Sequence, residues 1–313
     1  MKTIVSLILL FVSQTILANP FFDQFKAEKI TDNVYVVHGP LDVPNVKNRG
    51  FMNNPAFIVA DKSVVVIDPG ATLETGEMLI REIKKITDKP VSHIFNTHVH
   101  GDHWLANDIL VQRFPNAKII ADPRMIKKAR AGEGDNWLDF MVKATDGIAK
   151  GTEILYPTLQ ASNGEQLKAA GLTFNFYSFG IDHSDTDIMI EYVEGSTLFT
   201  GDNVAYKRIL RMDDGGFRDV IKVLDKAISL NLKHYVPGHG MTGDVEIVRL
   251  QREYFDILYK QVSIYADEGL EDFEMKSKIE PLLLKYSDWH GFDEQFGKHI
   301  SLAKLEFEKA EFE

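Results

Sequence analysis

Short runs of β-branched and aromatic residues alternate along most of the chain with stretches whose apolar residues recur at helical spacing. Such runs predict strands, and the helical spacing predicts amphipathic helices. The predicted strands cover residues 33–39, 56–70 (a hairpin), 93–97, 117–121, 172–180, 187–202 (a hairpin) and 234–240. The predicted helices cover residues 74–87, 104–113, 124–130, 137–149 and 217–230. Because strands and helices alternate, the pattern predicts an α/β protein with helices covering the sheet faces.

The pattern changes at Val245, after which only helical spacing remains. No internal repeat or low-complexity linker separates the two parts of the sequence. We therefore expect residues 19–244 to form the α/β body. Residues 245–313 are expected to form a helical extension packed on that body.

The first 18 residues have the pattern of a secretory signal peptide, with Lys2 ahead of an apolar run from Ile4 to Val12 and a small residue at Ala18. The alternative is a membrane anchor, but that run is shorter than the roughly 18 to 20 residues needed to cross a bilayer. The sequence therefore predicts a periplasmic or secreted protein with no membrane span after cleavage. The absence of cysteine excludes a thiol nucleophile.

Composition and charge narrow the class of partner. The chain has 44% hydrophobic and 26% charged residues, the balance of a globular protein with a sizeable core. Without Lys2 the 35 basic residues become 34, which against 46 acidic residues gives a net charge of −12. Such a surface repels polyanions, so we expect a small-molecule substrate and no nucleic-acid partner.

The stretch FNTHVHGDHWLAN follows directly on the predicted strand at residues 93–97. His98 and His100 are two residues apart, so an extended backbone directs both imidazoles to one side. Gly101 permits a sharp turn, after which Asp102 and His103 can face a second point nearby. Imidazole and carboxylate groups are ligands for zinc and similar divalent ions, so the spacing suits two adjacent metals.

Two metals need more ligands than these, and further candidates occur near the ends of later strands. His183 follows the strand at 172–180, Asp202 follows the strand segment that ends near Thr200, and His239 lies in the loop of YVPGHG. Each candidate lies in a glycine-containing loop.

With these residues, the chain resembles the metallo-β-lactamase superfamily in the span from Asn33 to Asp244. The resemblance implies the family's four-layer αββα sandwich, with metals at the edge between two sheets. It also implies that Asp202 bridges the metals, and it divides the other ligands into one set of His98, His100 and His183 and a second set of Asp102, His103 and His239.

The charge of this ligand set is consistent with two metals. Two divalent cations opposed by two carboxylates leave a positive site, which favours hydroxide at neutral pH and polarises a carbonyl or phosphoryl oxygen. We therefore expect an exported dinuclear zinc hydrolase, with iron or manganese as other possible metals. A bridging hydroxide would attack an ester, thioester, lactone or amide bond.

Several further residues are candidates for roles in catalysis or substrate binding. Asp102 and Tyr206 are the candidate catalytic residues, Tyr206 because it could donate to a substrate oxygen. Asp68 either orients a ligand or only caps a turn. The basic residues of YKRILR (206–211) either pair with an anionic substrate or form a packed loop, and AGEGDNW (131–137) is either a flexible lid or an exposed connector.

The chain departs from the β-lactamases that place a Lys three residues after a metal-binding Cys, because this position is Ala205. A bridging Asp is instead similar to glyoxalase II and lactonases. Hydrolysis of β-lactam antibiotics remains an alternative. So do an iron-dependent oxidative enzyme on the same scaffold and a metal-binding accessory protein of a periplasmic oxidation system, since the sequence also resembles hydrolase-like proteins found near quinoprotein dehydrogenases.

Overall fold

The computed structural model of the protein describes residues 19–310. The predicted signal peptide at residues 1–18 lies outside the described residues. Within them, two β-sheets face each other and helices cover the outer face of each sheet.

The first sheet combines an antiparallel half with a parallel half. Its strands follow the order of the chain: β1 (Ala27–Lys29), β2 (Val34–Val37), β3 (Ala56–Val59), β4 (Val64–Ile67), β5 (Val91–Asn96), β6 (Lys118–Ala121) and β7 (Leu159–Gln160). Strands β1 to β4 pair antiparallel, and β4 to β7 pair parallel. The parallel half brings the carboxyl ends of β4 and β5 side by side, as Ile67 pairs with Phe95.

The second sheet has five strands in the order β12-β11-β10-β9-β8. They are β8 (Gln166–Ala169), β9 (Leu172–Tyr177), β10 (Met189–Tyr192), β11 (Thr197–Ala205) and β12 (His234–His239). Only β11 and β12 pair parallel, with register shifts after Phe199 and Gly201. The sequence pattern predicted an end to this strand near Thr200, whereas β11 extends to Ala205 because β12 continues to pair with it beyond the shifts.

Nine α-helices lie in the part of the chain that the structure describes: α1 (Leu73–Ile86), α2 (Gly101–Trp104), α3 (Asn107–Arg113), α4 (Pro123–Lys128), α5 (Gly134–Ala144), α6 (Phe217–Ser229), α7 (Val245–Asp267), α8 (Asp272–Ile279) and α9 (Phe292–Ala310). Helix α1 begins where the Thr72 side chain accepts from the backbone N–H of Thr75 at 3.2 Å, which satisfies one of the free amides of the first turn. No helix among residues 19–310 is both long enough and apolar enough to cross a membrane.

The hydrophobic core is divided by the two sheets. Side chains from both sheets meet between them, with Phe95 of β5 5.0 Å from Phe174 of β9, measured between ring centroids. Helices α1 and α3 cover the outer face of the first sheet, and α6 to α9 cover the outer face of the second. The layers therefore run helix, sheet, sheet, helix, and the αββα fold that the resemblance implied is confirmed.

The segment at 131–137 is helical, with Ala131, Asp135 and Asn136 exposed, and a role as a lid stays a prediction. A π-helical turn at Ala129–Glu133 leads directly into α5, with a kink at Gly132 (φ 117°). The prediction missed this because the glycines suggested a loop. In the structure, Gly134 begins α5 and lies beside the buried ring of Trp104, where a Cβ at Gly134 would be 3.2 Å from that ring.

Candidate metal centre

The predicted ligands come from the ends of strands in both sheets. His98 and His100 follow β5, and Asp102 and His103 lie in the short helix α2 that begins at Gly101. The second sheet contributes His183 from the loop between β9 and β10, Asp202 from β11 and His239 from the end of β12. The structure brings these seven side chains into two adjacent groups at one edge of the sandwich.

The first group contains His98, His100, His183 and Asp202, with one possible ligand atom of each residue within 4.8 Å of all the others. Nδ1 of His100 lies 3.0 Å from Nε2 of His183. Two neutral ring nitrogens that both present lone pairs repel each other at this distance, so they need either a proton or a shared cation between them.

The second group contains Asp102, His103 and His239. Oδ2 of Asp102 lies 3.3 Å from Nε2 of His103 and 3.4 Å from Nε2 of His239. Asp202 lies between the groups, because its Oδ1 is 3.1 Å from Nε2 of His103 and its Oδ2 is 3.6 Å from Nε2 of His183. The resemblance implied a bridging role for this carboxylate, and that role stays a prediction.

Hydrogen bonds outside the cluster fix the orientation of three of the imidazoles. Nδ1 of His239 donates to the carbonyl oxygen of Met52 at 2.9 Å, and Nδ1 of His103 donates to Asp68 at 2.9 Å. The Thr97 hydroxyl donates to Asp68 at 2.6 Å, so it accepts from Nδ1 of His98 at 3.0 Å. Each ring therefore carries its proton on Nδ1 and turns the lone pair of Nε2 toward the cluster.

Burial and neighbouring charges act differently on the two groups: in the second group burial opposes protonation, but Asp202 and its neighbours raise the pKa of His103 and His239 in the absence of a cation. Burial lowers the pKa of His183 to about 3, and burial together with the neighbouring imidazoles holds the pKa of His98 well below its ordinary value. Burial opposes ionisation of Asp202, but His239 and His103 hold its pKa well below the ordinary range. His98 and His183 thus offer neutral imidazoles beside the ionised carboxylate of Asp202.

The unpartnered atoms of the cluster show that its residues fit divalent cations. Nε2 of His98, Nε2 of His103, Oδ2 of Asp102 and Oδ1 of Asp202 are buried and have no hydrogen-bond partner among the described residues. A buried polar atom without a partner costs free energy, and these four atoms belong to residues of the two adjacent groups. Imidazole nitrogen and carboxylate oxygen are the donors that zinc and related ions bind, so the donor set suits such ions.

Glycine at position 238 lets the strands carrying Asp202 and His239 approach closely. A Cβ built at Gly238 would lie 1.9 Å from Oδ1 of Asp202, so a larger residue there would displace the carboxylate. Asn54 supports the same loop, since its amide donates to the carbonyl oxygens of Pro237 at 2.8 Å and Gly240 at 2.6 Å.

A cavity with about 650 Å³ of space, including its open mouth, lies directly over both groups. One wall is apolar and includes Trp137, whose ring lies 4.8 Å from that of His100, and Phe140. Trp137 belongs to the candidate lid at 131–137, but Phe140 was not predicted here, because helical spacing says which face of α5 is apolar but not that this face meets the metal cluster. The sequence analysis also missed Met52, which acts through a backbone carbonyl that carries no sequence signature.

Tyr206 lies beside the cluster without lining the cavity. Its backbone N–H donates to the carbonyl oxygen of His239 at 2.9 Å, and its ring packs 5.9 Å from that of Trp289. The catalytic role predicted for Tyr206 stays a prediction from sequence position. Asp102, the other candidate catalytic residue, does line the cavity.

Comparison with known proteins agrees with this arrangement. A model of the metallo-beta-lactamase superfamily matches residues 48–239, which is more than half of the chain. The chain belongs to this superfamily. The matched span includes all seven predicted ligands, and it ends on His239.

Relatives in the metallo-beta-lactamase superfamily are distant. A probable metallo-hydrolase of Methanocaldococcus jannaschii is 29% identical over 203 residues, which cover 62% of this chain and 91% of that protein. A hydroxyacylglutathione hydrolase of Prochlorococcus marinus is 26% identical, over 54% of this chain and 57% of that protein. The solved structure of a metallo-beta-lactamase from Pontibacter korlensis is similar with a TM-score of 0.58 and 19% identity, covering 74% of this chain and 99% of that one. The relatives support membership among the metallo-hydrolases, and the His and Asp cluster of this chain is consistent with that class.

Proposed function

We propose that this chain is an exported hydrolase that holds two zinc ions and cleaves an ester, thioester, lactone or amide bond of a small molecule. The observation that carries the proposal is the convergence of seven nitrogen and oxygen donors in two groups that share Asp202, under one open cavity. The relatives named as a probable metallo-hydrolase and a hydroxyacylglutathione hydrolase support hydrolysis. Export rests on the signal-peptide pattern of residues 1–18.

The residues around the cluster define the steps that the chain itself would carry out. Zinc, when bound, supplies Lewis acidity and lowers the pKa of water to about 7. The two groups would hold the ions, with Asp202 between them. Asp102 lines the cavity, and its carboxylate is available to accept a hydrogen bond from the attacking water and orient it. The apolar wall around Trp137 would exclude bulk water from the reacting bond.

Hydrolysis of a panel of esters, thioesters, lactones and β-lactams tests the proposal. Purified protein should turn over at least one class, lose turnover on chelation and recover it with zinc. His100→Ala should lose at least about a hundredfold in rate together with metal, because it removes a ligand. His93→Ala is the matched control, because His93 lies earlier in the same segment but outside both groups, and it should retain the parent rate.

Other outcomes of the same experiment would contradict the proposal. If His100→Ala turned over substrate and kept its full metal content, His100 would not be a metal ligand. About one iron per chain with turnover that consumes oxygen would favour the oxidative alternative, and failure of the whole panel would favour an accessory role. N-terminal sequencing tests export separately: exported protein should begin near Asn19, and Met1 in the membrane fraction would contradict cleavage.

A further inference from the structure

His183 differs from the three imidazoles whose rings are fixed by hydrogen bonds outside the cluster. Its Nδ1 is buried and has no hydrogen-bond partner among residues 19–310. Its Nε2 lies 3.0 Å from Nδ1 of His100 and 3.6 Å from Oδ2 of Asp202, so this nitrogen faces the first group. The position of the ring therefore depends on the backbone of the loop that carries it.

The loop that carries His183 covers residues 178–188 and contains no helix or strand. It joins β9 to β10, and the pairing of these strands ends where Tyr177 lies opposite Met189. The ladder hydrogen bonds therefore stop at the base of the loop. The backbone N–H of His183 donates to Oδ1 of Asn203 at 3.3 Å, which is longer than a typical bond of this kind. Contacts from outside the second sheet are needed to fix the shape of the loop.

Arg124 of α4 makes such contacts on both sides of His183. Its Nη1 donates to the carbonyl oxygen of Gly180 at 3.0 Å, and its Nη2 donates to the carbonyl oxygen of Asp187 at 3.0 Å. A guanidinium is planar and carries its N–H groups in a rigid fork, so the two bonds hold the carbonyls at a set separation. Because the donor is charged, these bonds are stronger than bonds between neutral groups.

Asp122 holds the guanidinium of Arg124 in place. Its Oδ1 accepts from Nε of Arg124 at 2.9 Å and, as the cap of α4, from the backbone N–H of Arg124 at 2.8 Å. Asp122 is buried and directly follows β6 of the first sheet. Through Asp122 and Arg124, the first sheet thus holds a loop of the second sheet beside the metal centre.

An ordinary surface ion pair is the simpler interpretation of Arg124, and such pairs contribute little to stability. Lys128 of the same helix forms a pair of that kind, with Nζ 2.7 Å from Oδ1 of Asp185 and side chains that are 30% and 49% exposed. The side chain of Arg124 is 38% exposed, but that of Asp122 is only 4% exposed. The other two acceptors of Arg124 are backbone oxygens, which cannot move without moving the loop around His183.

We propose that Arg124 is a positioning residue of the metal centre, which fixes the loop so that the imidazole of His183 reaches the ion of the first group. This inference rests on the proposed function for its metals. Arg124 belongs to neither metal group and does not line the cavity above them. It therefore acts through His183 and touches neither the metals nor the substrate.

The zinc affinity of Arg124→Gln tests the inference without turnover, by competition with a chelating dye. Glutamine lacks the charge and the fork that hold the two carbonyls, so the affinity for one of the two zinc ions should fall at least about tenfold, as for other residues that orient a ligand. Arg113→Gln is the matched control, because Arg113 forms an exposed ion pair with Glu77 at 2.6 Å and lies outside both groups. It should keep both affinities of the parent.

A double substitution separates positioning of His183 from a general structural role. In His183→Ala the ring that Arg124 positions is absent, so adding Arg124→Gln should lower the zinc affinity no further. A further fall would overturn the inference, because Arg124 would then act on the centre without His183. Zinc affinities of Arg124→Gln that match those of the parent would also overturn it.

Thermal melting of the metal-free proteins establishes that each variant is folded. If Arg124→Gln does not fold, Arg124→Lys decides, since lysine keeps the charge beside Asp122 but lacks the fork. A zinc affinity at least about threefold below that of the parent supports the inference, and a smaller change overturns it.

The two proposals fail in different ways. Zinc binding that depends on Arg124 in a protein that hydrolyses nothing would contradict only the proposed function. Hydrolysis by a protein whose zinc affinity does not depend on Arg124 would contradict only this inference.

Discussion

Asp68 connects two of the predicted ligands to the first sheet through hydrogen bonds that only a carboxylate can make together. It accepts from the backbone N–H of Thr97 at 2.9 Å, from the Thr97 hydroxyl at 2.6 Å and from Nδ1 of His103 at 2.9 Å. Through Thr97 it also fixes the ring of His98. One side chain thus sets the orientation of an imidazole in each metal group.

Asp68→Asn should therefore weaken metal binding without removing a ligand. The new amide presents N–H groups where the structure needs an acceptor, so the ring of His103 or the hydroxyl of Thr97 must turn. We expect a loss of about 10- to 100-fold in zinc affinity, measured by competition with a chelating dye. Asp61→Asn, in the exposed turn between β3 and β4, is the control. If Asp68→Asn and Asp61→Asn bound zinc with equal affinity, Asp68 would only cap a turn and would not orient the ligands.

The sequence predicts the residues of this site better than their surroundings. The spacing of His98, His100, Asp102 and His103 carries its own geometry, because alternation along an extended chain and a turn at Gly101 divide the side chains between two points. Nothing comparable marks Phe140 as part of the cavity wall. That property depends on where α5 lies in three dimensions, and sequence order does not supply it.

At the scale of elements, the helices after β12 support the loop that forms one wall of the cavity. His299 of α9 is fully buried, and its Nε2 donates to the carbonyl oxygen of Leu210 at 2.9 Å while its Nδ1 accepts from the Tyr254 hydroxyl of α7 at 2.9 Å. The sequence predicted helices in this region. It did not predict their contact with the loop, because an apolar stripe on a helix does not specify which surface it covers.

The buried, neutral ring of His299 should make part of the protein's stability depend on pH. Burial lowers the pKa of His299 to about 4, below the ordinary 6.5, so the unfolded chain takes up the proton first. The stabilisation is fully present above about pH 6.5 and is lost as the pH falls toward about 4. His299→Gln removes this titration. When the pH is lowered from 7 to 5, the free energy of unfolding of His299→Gln should therefore fall by about 2 kcal/mol less than that of the parent. Urea titration at the two pH values measures both changes. If the parent and His299→Gln lost the same free energy of unfolding over this pH range, the prediction would be wrong.

At the scale of the whole molecule, the sandwich brings together strand ends that are far apart in the sequence. The first sheet supplies His98 to His103 near its parallel strands, and the second sheet supplies Asp202 and His239 where its only parallel pair is irregular. The alternation of strands and helices predicted an α/β protein, and the resemblance supplied the four layers. Strand order could not be read from periodicity, because a strand such as β4 is apolar and buried on both faces and shows no alternation.

The division of the chain at residues 244 and 245 stays a prediction, as do export and the absence of a nucleic-acid partner. The helices from Val245 onward share one hydrophobic cluster with α6 and the second sheet, including Phe217, Leu224, Leu258 and Ile300. Removing them would expose that cluster to water. The metal site and the helices therefore belong to one continuous packed structure.

Zinc stoichiometry in Asp202→Asn tests the central claim, a centre of two metals bridged by one carboxylate, most directly. The change keeps the volume of the side chain and removes the negative charge between the two cations, so the group without three histidines should lose its ion first. Asp61→Asn is again the control, because Asp61 lies in the exposed turn between β3 and β4 and belongs to neither group. Elemental analysis after gel filtration should give about two zinc per chain in the parent and in Asp61→Asn, and about one in Asp202→Asn. Two zinc ions per chain in Asp202→Asn, or one in the parent, would contradict the account.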